Sequence, residues 1–455
     1  MLAEFHKVLG KENVFQDLAD RVAYSYDAAV LSPVVPELVL RPTSSEALGR
    51  AVRLCNDQCL AMTVRGAGTN LSGGTIPCES GVVVVTNALN RILEINEADM
   101  YAVVQPGVIT AQFAAAVEAR GLFYPPDPGS QAVSTLGGNV AENAGGLRGL
   151  KYGVTRDYVM GLEFFDTNGE RVKTGGRTVK CVTGYNLAGL LVGSEGTLGV
   201  FDTIVLKLIP MPAARKAMMA VFDHVEQASN VVAGIIANRI VPATLEFMDN
   251  FTIRAVEDFS HVGLPVDSAA LLLIEVDGHP AQVDDDASRV ESVCKELGAS
   301  GLRVAQNAAE RDKVWEARRT ALSALAKVKP TVVLEDATVP RSKIPAMISA
   351  LDSIAKEYRL TIGTFGHAGD GNLHPTILTD RRDHSEWVRV EAAIDAIFDK
   401  ALELGGTLSG EHGIGLAKSR YLEKETSRGT ILYSRRIKAA LDPNNILNPG
   451  KIIGG

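Results

Sequence analysis

The sequence reads Arg65-Gly66-Ala67-Gly68-Thr69-Asn70-Leu71-Ser72-Gly73-Gly74 immediately after a predicted strand, Cys59–Val64. Successive backbone N–H groups in such a glycine-rich turn form a concave anion site, and the hydroxyl and amide side chains add donors. The loop departs from the Rossmann fingerprint, because Leu71 replaces the third glycine and no acidic residue ends a second strand about 20 residues on. On these residues alone, a phosphate-binding loop and an ordinary hairpin loop both stay open.

Further glycine-rich segments follow along the chain, and such clusters mark tight turns or backbone close to a ligand. They are Tyr124–Ser130, Ser134-Thr-Leu-Gly-Gly-Asn-Val-Ala-Glu-Asn-Ala-Gly-Gly146, Lys151-Tyr152-Gly153 and Gly193-Ser-Glu-Gly-Thr-Leu-Gly-Val200. Together with the first loop they resemble the FAD-binding domain of the vanillyl-alcohol-oxidase (PCMH-type) family. The resemblance is strongest to its D-lactate dehydrogenase, glycolate oxidase flavin subunit and D-2-hydroxyglutarate dehydrogenase branch, and it runs from about Pro36 to Lys451.

The resemblance implies an α+β fold with a two-lobed PCMH-type FAD-binding domain and a substrate (cap) domain built on an antiparallel sheet. A C-terminal segment would return to the FAD domain. The predicted boundaries are an N-terminal helical segment at 1–35, the FAD-binding domain at 36–212, the cap domain at 213–420 and a C-terminal helix and tail at 421–455.

The residues support a second domain independently of the resemblance. Pro210-Met-Pro-Ala-Ala marks a boundary, and beyond it predicted strands alternate with predicted helices. This order favours an antiparallel sheet with helices to one side. The strands are Lys216–Phe222, Ala269–Asp277, Thr361–Gly366 and Asn372–Ile377; the helices are Val225–Asn238, Asp284–Leu297, Ala308–Ala326, Lys343–Glu357 and Arg389–Glu403.

The resemblance implies bound FAD and assigns residues to it. The pyrophosphate would lie on Gly66, Ala67, Gly68, Thr69, Asn70 and Ser72. The flavin and its sugar chain would be lined by Asp127, Ser130, Thr135, Gly137, Gly138, Asn143, Gly146, Tyr152 and Gly153. Glu195, Gly199 and Val200 would lie near the adenine. Some relatives attach the flavin through a histidine of the first loop; Thr69 stands at that position here, which favours non-covalent FAD.

A second motif, Gly366-His367-Ala-Gly-Asp370-Gly371-Asn-Leu-His374, predicts a hairpin, because Asp-Gly is the preferred dipeptide of a two-residue type I′ turn. Folding about that turn pairs His367 with His374, so that two imidazoles could share one ion. A separate cluster, Ser409-Gly-Glu-His-Gly-Ile-Gly415, offers a carboxylate and a further imidazole on a flexible loop. On these residues alone, a metal site with a base beside it and histidines that are ordinary core or surface residues both stay open.

The resemblance makes His367, His374 and Glu411 ligands of a divalent Zn, Fe or Mn ion and His412 the catalytic base. It also selects Arg318, on a predicted helix, to bind the substrate carboxylate. The alternative for Arg318 is that it belongs to a solvated basic face of that helix. Asn372 either contacts the flavin or the substrate, or is an ordinary turn residue.

The implied activity is FAD-dependent, metal-assisted oxidation of a small D-2-hydroxy acid, such as D-lactate or glycolate, to the 2-oxo acid. The hydroxyglutarate branch holds the second substrate carboxylate with a lysine, where this chain has Leu334, and the following Glu335-Asp336 would repel a distal anion. The alternatives are a D-2-hydroxyglutarate dehydrogenase, a non-catalytic flavin subunit that relays electrons, and a metal-dependent hydrolase.

The composition of the chain limits the kinds of partner that the protein could bind. The 455 residues carry a formal net charge of −8, which argues against a nucleic-acid or anionic-membrane surface. With no secretory signal and no apolar run of about 18 residues, we expect a cytoplasmic protein without a transmembrane segment. Five scattered cysteines lack cluster-ligand spacing, so a partner would have to accept the electrons. The resemblance implies that this acceptor is an iron–sulfur subunit, an electron-transfer flavoprotein, a quinone or a cytochrome. A homodimer is left open.

Overall fold

The computed structural model describes residues 2–454, which form two compact units. The first unit holds the described residues up to Gly145, the segment Val154–Met211 and the segment from Glu411 onward. The second holds Gly146–Gly153 and Pro212–Gly410. The domain boundaries predicted from sequence stay predictions; in the structure, residues 146–153 pack with the second unit and residues 411–420 with the first.

Both units contain strands and helices. The strands are β1 (Val14–Phe15), β2 (Leu38–Leu40), β3 (Met62–Arg65), β4 (Val82–Val85), β5 (Ile92–Asn96), β6 (Tyr101–Val104), β7 (Leu122–Phe123), β8 (Val159–Phe165), β9 (Arg171–Gly175), β10 (Val200–Lys207), β11 (Ile209–Pro210), β12 (Ala214–Phe222), β13 (Thr244–Asp249), β14 (Ala270–Gly278), β15 (Gly301–Val304), β16 (Thr331–Leu334), β17 (Ala337–Thr338), β18 (Thr361–His367) and β19 (Asn372–Thr379). The helices are α1 (Leu2–Leu9), α2 (Leu18–Val22), α3 (Ser45–Asp57), α4 (Thr110–Glu118), α5 (Leu136–Glu142), α6 (Gly149–Tyr152), α7 (Leu187–Leu191), α8 (Val225–Ala237), α9 (Asn250–Ser260), α10 (Pro280–Glu296), α11 (Ala308–Val328), α12 (Ile344–Tyr358), α13 (His384–Glu403), α14 (Leu422–Glu425) and α15 (Arg428–Leu441).

The first unit has two lobes, each with its own sheet and core. In the first lobe the strand order is β1-β2-β4-β3, and β4 consists of four buried valines. Such a strand needs cover on both faces, and it runs parallel to both of its neighbours. The second lobe is an antiparallel sheet of order β5-β6-β10-β8-β9, whose edge strand β9 leaves alternate residues exposed.

The C-terminal segment returns to the first unit, as predicted. Leu447 lies beside Met62 as a parallel bridge, and Met62 N donates to Ile446 O. Asn448 Nδ2 donates to the carbonyls of Gly74 and Glu195. Because Ile446 and Leu447 are buried in the first lobe's core, the tail completes that lobe.

Among residues 2–35, α1, α2 and a short 3₁₀ helix at Lys11–Asn13 are helical, so the expectation of a helical segment is wrong for the rest of that range. Val14 and Phe15 instead form β1, which pairs with Leu40 and Val39 of β2. The N-terminal segment thus supplies an edge strand to the first sheet and the buried Phe5 to its core.

The second unit is an antiparallel sheet of order β15-β12-β14-β13-β18-β19-β16, with β17 paired to β19. The expected antiparallel sheet is confirmed, but helices cover both of its faces rather than one. Helices α9 and α11 pack over one face, and β14 is buried at its first eight positions, so the other face is covered as well. The uninterrupted apolar run Ala270–Ile274 is typical of a strand with two covered faces.

Among residues 2–454, no helix combines the length and apolar character needed to cross a membrane.

Replacing Leu447 with Ala tests the role of the tail. Removing a fully buried leucine side chain should lower the free energy of unfolding by about 2–5 kcal/mol, because a cavity is left in the first lobe's core. The control is Leu441→Ala on α15, where the side chain is 43% exposed and the expected change is under about 0.5 kcal/mol. Urea unfolding followed by circular dichroism makes the measurement, and equal midpoints for the two variants would contradict this role.

Candidate active site

His367 and His374 lie side by side near the turn of the β18–β19 hairpin. Their ring centroids are 5.0 Å apart and both side chains are buried. The predicted register is wrong, because His367 pairs with Asn372, and His374 pairs with Phe365. The two imidazoles are therefore diagonal rather than direct neighbours, but they share one sheet face and remain close enough to meet at a common point.

The connecting loop explains the shift in register. It has four residues, 368–371, instead of the two of a type I′ turn. Gly371 N donates to His367 O, Asp370 Oδ1 accepts from Asn372 N, and only Gly371 of the Asp-Gly pair has positive φ, at 89°. A Cβ on Gly371 would lie 2.0 Å from Val339 O, so glycine is required because the neighbouring chain comes so close.

The segment before Glu411 is fixed against the same sheet. Thr407 N donates to Thr338 O, and Ser409 Oγ donates to the buried Asp336 Oδ2 over 2.7 Å. Asp336, which the sequence led us to expect as a repellent of a distal anion, therefore anchors the loop two residues before Glu411.

Glu246, on β13, is a site residue that the sequence did not single out. Its side chain is fully buried, and its Oε1 lies 2.8 Å from His367 Nδ1. An ionised carboxylate can only accept, so Nδ1 carries the hydrogen and Nε2 keeps its lone pair. The available signal was an acidic residue at the centre of the apolar strand Thr244-Leu-Glu-Phe-Met.

Helix α11 brings Arg318 to the same carboxylate. Arg318 Nε donates to Glu246 Oε2 over 2.5 Å, and its guanidinium lies 4.8 Å from the centre of the Phe365 ring. Its side chain is 11% exposed, whereas Lys313 and Arg319 on the same helix face solvent. Arg318 thus points into the fold, toward the metal-ligand candidates, and is not part of a solvated basic face.

Burial opposes the charge of Glu246, but the neighbouring His367 and Arg318 outweigh it, so the pKa of Glu246 lies below its ordinary value. A buried carboxylate that accepts from the Arg318 guanidinium and from the His367 ring stays ionised at neutral pH. Glu246 therefore accepts from both neighbours at once.

Asn372 is neither exposed nor a free turn residue. It is buried in β19, and its Oδ1 accepts from Thr338 Oγ1 over 3.0 Å. Its side chain secures β17 to the hairpin, and its contact with flavin or substrate stays a prediction.

In the first unit, the two glycine-rich segments meet. A Cβ on Gly66 would lie 2.2 Å from Thr135 Oγ1, so only glycine lets the first loop approach the start of α5 this closely. Thr135 caps α5 by accepting from Gly138 N. Gly68 has a φ of 70°, and Asn70 is held by its side-chain hydrogen bond to Asp27.

Helix α5 packs tightly and ends in a left-handed cap. Gly137 N donates to Pro106 O, and a Cβ on Gly137 would lie 2.5 Å from Pro106 Cβ. Asn143 has a φ of 53°, and its Oδ1 accepts from Arg156 N.

Asp127 and Ser130 belong to the segment before α5. Asp127 is buried, and Ser130 O accepts from the amide nitrogens of Val133 and Ser134. These contacts shape the backbone, and direct contact of these residues with FAD stays a prediction.

Three predicted flavin residues, Gly146, Tyr152 and Gly153, belong to the second unit. Tyr152 Oη donates to Asp277 Oδ2 over 2.8 Å, and Lys151 Nζ donates to Asp277 Oδ1. Gly146 and Gly153 both have positive φ, at 146° and 79°, so they shape the entry and exit of this segment.

Glu195, predicted near the adenine, holds the segment after His412. Its two oxygens accept from Ile414 N and Gly415 N, each over 2.7 Å. Burial raises the pKa of Glu195. The pKa of the neighbouring Glu142 lies well above its ordinary value, first because Glu142 is buried and second because the charge of Glu195 is close by.

The two other residues predicted near the adenine lie against the core. Gly199 packs against Phe164, and the side chain of Val200 is buried in the first lobe's core, so Val200 could contact a ligand only through its backbone atoms.

Buried hydroxyls in the glycine-rich loops fit FAD. Within residues 2–454, the buried Oγ atoms of Ser72 and Ser194 have no hydrogen-bond partner. Buried polar atoms normally have partners, so these two are suited to a polar cofactor. The imidazoles of His367 and His374 fit a divalent ion, because neutral ring nitrogens that lie this close on one sheet face are common ligands of Zn²⁺, Fe²⁺ and Mn²⁺.

Two family models match the chain: "FAD binding domain" over residues 36–175 and "FAD linked oxidases, C-terminal domain" over residues 211–452. The second covers more than half of the chain, which therefore belongs to the FAD-linked oxidases. The protein is an FAD-linked oxidoreductase, and the resemblance drawn from the glycine motifs is confirmed.

Its relatives are similar over nearly their whole length. The chain is 50% identical to the "Glycolate oxidase subunit GlcD" of Bacillus subtilis (strain 168), covering 98% of this chain and 95% of that protein. It is 34% identical to the "D-lactate dehydrogenase" of Anaerostipes hadrus, covering 99% and 97%. A solved structure of substrate-bound p-cresol methylhydroxylase shares the fold, with a TM-score of 0.84 at 17% identity over 99% of this chain and 96% of that one.

Replacing Gly66 with Ala tests the contact between the two glycine-rich segments. The added methyl group would force Thr135 away, and overpacking of about 1–3 kcal/mol should weaken FAD binding roughly tenfold or more. FAD content after dialysis and the fluorescence-measured Kd give the readout. Gly176→Ala is the matched control, because a Cβ there meets nothing within 4 Å. Equal FAD affinity in both variants would show that this contact does not shape the cofactor site.

Proposed function

We propose that this chain oxidises a small D-2-hydroxy acid, such as D-lactate or glycolate, to the 2-oxo acid with non-covalently bound FAD and a divalent metal ion. The observation that carries the proposal is the pair of buried imidazoles His367 and His374, whose ring centroids lie 5.0 Å apart on one sheet face. The sequence Glu411-His412 supplies a carboxylate and a further imidazole. Relatives named for glycolate oxidase and D-lactate dehydrogenase support the substrate class.

The protein's own residues have separate tasks. His367, His374 and Glu411 would hold the ion, which supplies Lewis acidity toward the substrate hydroxyl. Arg318 would bind the substrate carboxylate through N–H groups not used by Glu246. His412 would take the hydroxyl proton, for which a neutral imidazole is suited near pH 7. FAD supplies the acceptor for the hydride that leaves the substrate Cα.

The preference for a small substrate rests on Leu334. It lies in β16 opposite Thr376, two residues along β19 from His374, and its half-buried side chain packs against the core under α11. An apolar residue there offers nothing to a second carboxylate. We therefore favour a monocarboxylate over 2-hydroxyglutarate.

Electrons would leave the flavin for a partner protein or a quinone. The five cysteines are free thiols, and Cys55 and Cys294 are buried. The relatives from Bacillus subtilis and Escherichia coli are named as subunits of an oxidase, which favours an acceptor on another chain, such as an iron–sulfur subunit or an electron-transfer flavoprotein. A cytoplasmic location and a homodimer also stay proposals.

Anaerobic mixing with D-lactate or glycolate should bleach the oxidised-flavin absorbance, and prior treatment with a chelator should slow this at least tenfold, with recovery on adding Zn²⁺ or Mn²⁺. L-lactate and D-2-hydroxyglutarate serve as comparison substrates. Bleaching by neither proposed substrate would overturn the substrate class, and chelator-resistant bleaching would overturn the role of the metal.

Replacing His412 with Ala should slow flavin reduction by about 10²–10⁴-fold while FAD content stays unchanged, because the proton acceptor is lost. His384→Ala, at the exposed start of α13, is the control and should react like wild type. Unchanged reduction in His412→Ala would show that His412 is not the base.

A further inference from the structure

Glu246 contacts two side chains to which the proposed function gives different tasks. One carboxylate oxygen lies 2.8 Å from Nδ1 of His367, a metal-ligand candidate. The other accepts from Arg318 Nε, whose guanidinium would bind the substrate carboxylate. The carboxylate is fully buried, so water does not compete for either contact.

We propose that Glu246 is a positioning residue that sets both the metal affinity and the substrate-carboxylate affinity, an inference that rests on the proposed function. By accepting from Nδ1, it holds the hydrogen of the His367 ring on that nitrogen, so that Nε2 can act as the ligand atom. By accepting from Nε, it fixes the plane of the Arg318 guanidinium above Phe365 and leaves the terminal N–H groups for a ligand.

The two tasks require an ionised carboxylate. It has two acceptor oxygens, whereas a glutamine side chain has one acceptor and one donor NH₂ group. In the Glu246→Gln variant the amide oxygen could accept a hydrogen bond from His367 Nδ1 or from Arg318 Nε. The NH₂ group, itself a donor, would then lie against the N–H group that has lost its acceptor. Loss of the negative charge would also leave the Arg318 cation buried without its partner.

The neighbouring strand provides a matched control. Glu275 of β14 is also buried, and its Oε2 accepts from Trp315 Nε1 over 2.8 Å, on the same helix as Arg318. The proposed site does not use Trp315. Glu275→Gln therefore perturbs the same helix–sheet contact through a buried carboxylate outside the proposed metal and substrate contacts.

The test compares wild type, Glu246→Gln and Glu275→Gln with FAD bound. After chelator treatment, each is titrated with Zn²⁺ and Mn²⁺ by calorimetry. The Kd of Glu246→Gln for the metal should rise about 10- to 100-fold, and its KM for D-lactate should rise at saturating metal, with a smaller change in kcat. Glu275→Gln should stay within about twofold of wild type. Equal values for Glu246→Gln and wild type, or equal losses in both variants, would overturn the inference.

A measurement on the unmutated protein covers the case in which Glu246→Gln does not fold. Long-range ¹H–¹⁵N spectra of ¹⁵N-histidine-labelled, metal-free protein should show His367 protonated at Nδ1, assigned by the signal missing in His367→Asn. Protonation at Nε2 instead would overturn the inference. If wild type binds neither Zn²⁺ nor Mn²⁺, the proposed metal site itself fails; if it binds them and Glu246→Gln binds equally, only the role of Glu246 fails.

Discussion

The charge on Glu246 is the constraint around which the second unit is arranged. A carboxylate with no exposure to water is stable only where a cation and hydrogen-bond donors offset its charge. The Arg318 guanidinium on helix α11 is the cation and the His367 Nδ1–H on strand β18 is a donor, so the charge ties three elements into one geometry. Phe247 pairs with Gly366, which brings the next residues, Glu246 and His367, together at the end of that ladder.

Glycines set the geometry of the first unit in a complementary way. At Gly66 and Gly137 the neighbouring atoms stand too close for any Cβ. These close approaches bring the first loop, α5 and the Pro106 turn together around one region, with Ser72 and Thr135 in the same segments. Steric exclusion of side chains, rather than charge, keeps this backbone open to a polar cofactor.

The sequence predicted the family, the antiparallel sheet and the returning tail, because glycine spacing and strand patterns are local signals. It also predicted that His367 and His374 lie close together on one hairpin, although it placed them directly opposite each other and the structure places them diagonally. The Asp-Gly dipeptide indicated a two-residue turn, and the approach of Val339 to Gly371, about thirty residues away in sequence, could not be read from the motif. Glu246 was missed for a similar reason: its partners are 72 and 121 residues distant along the chain.

The pairing of the tail with β3 has a consequence for biosynthesis. The other strands of the first lobe come from residues 14–85, but its core also contains Ile446 and Leu447, which are more than 350 residues further along the chain. Contacts of such sequence separation form late, so the core of this lobe is completed only after residues 446 and 447 have been synthesised. Until then the nascent first lobe exposes the apolar edge that these two residues cover.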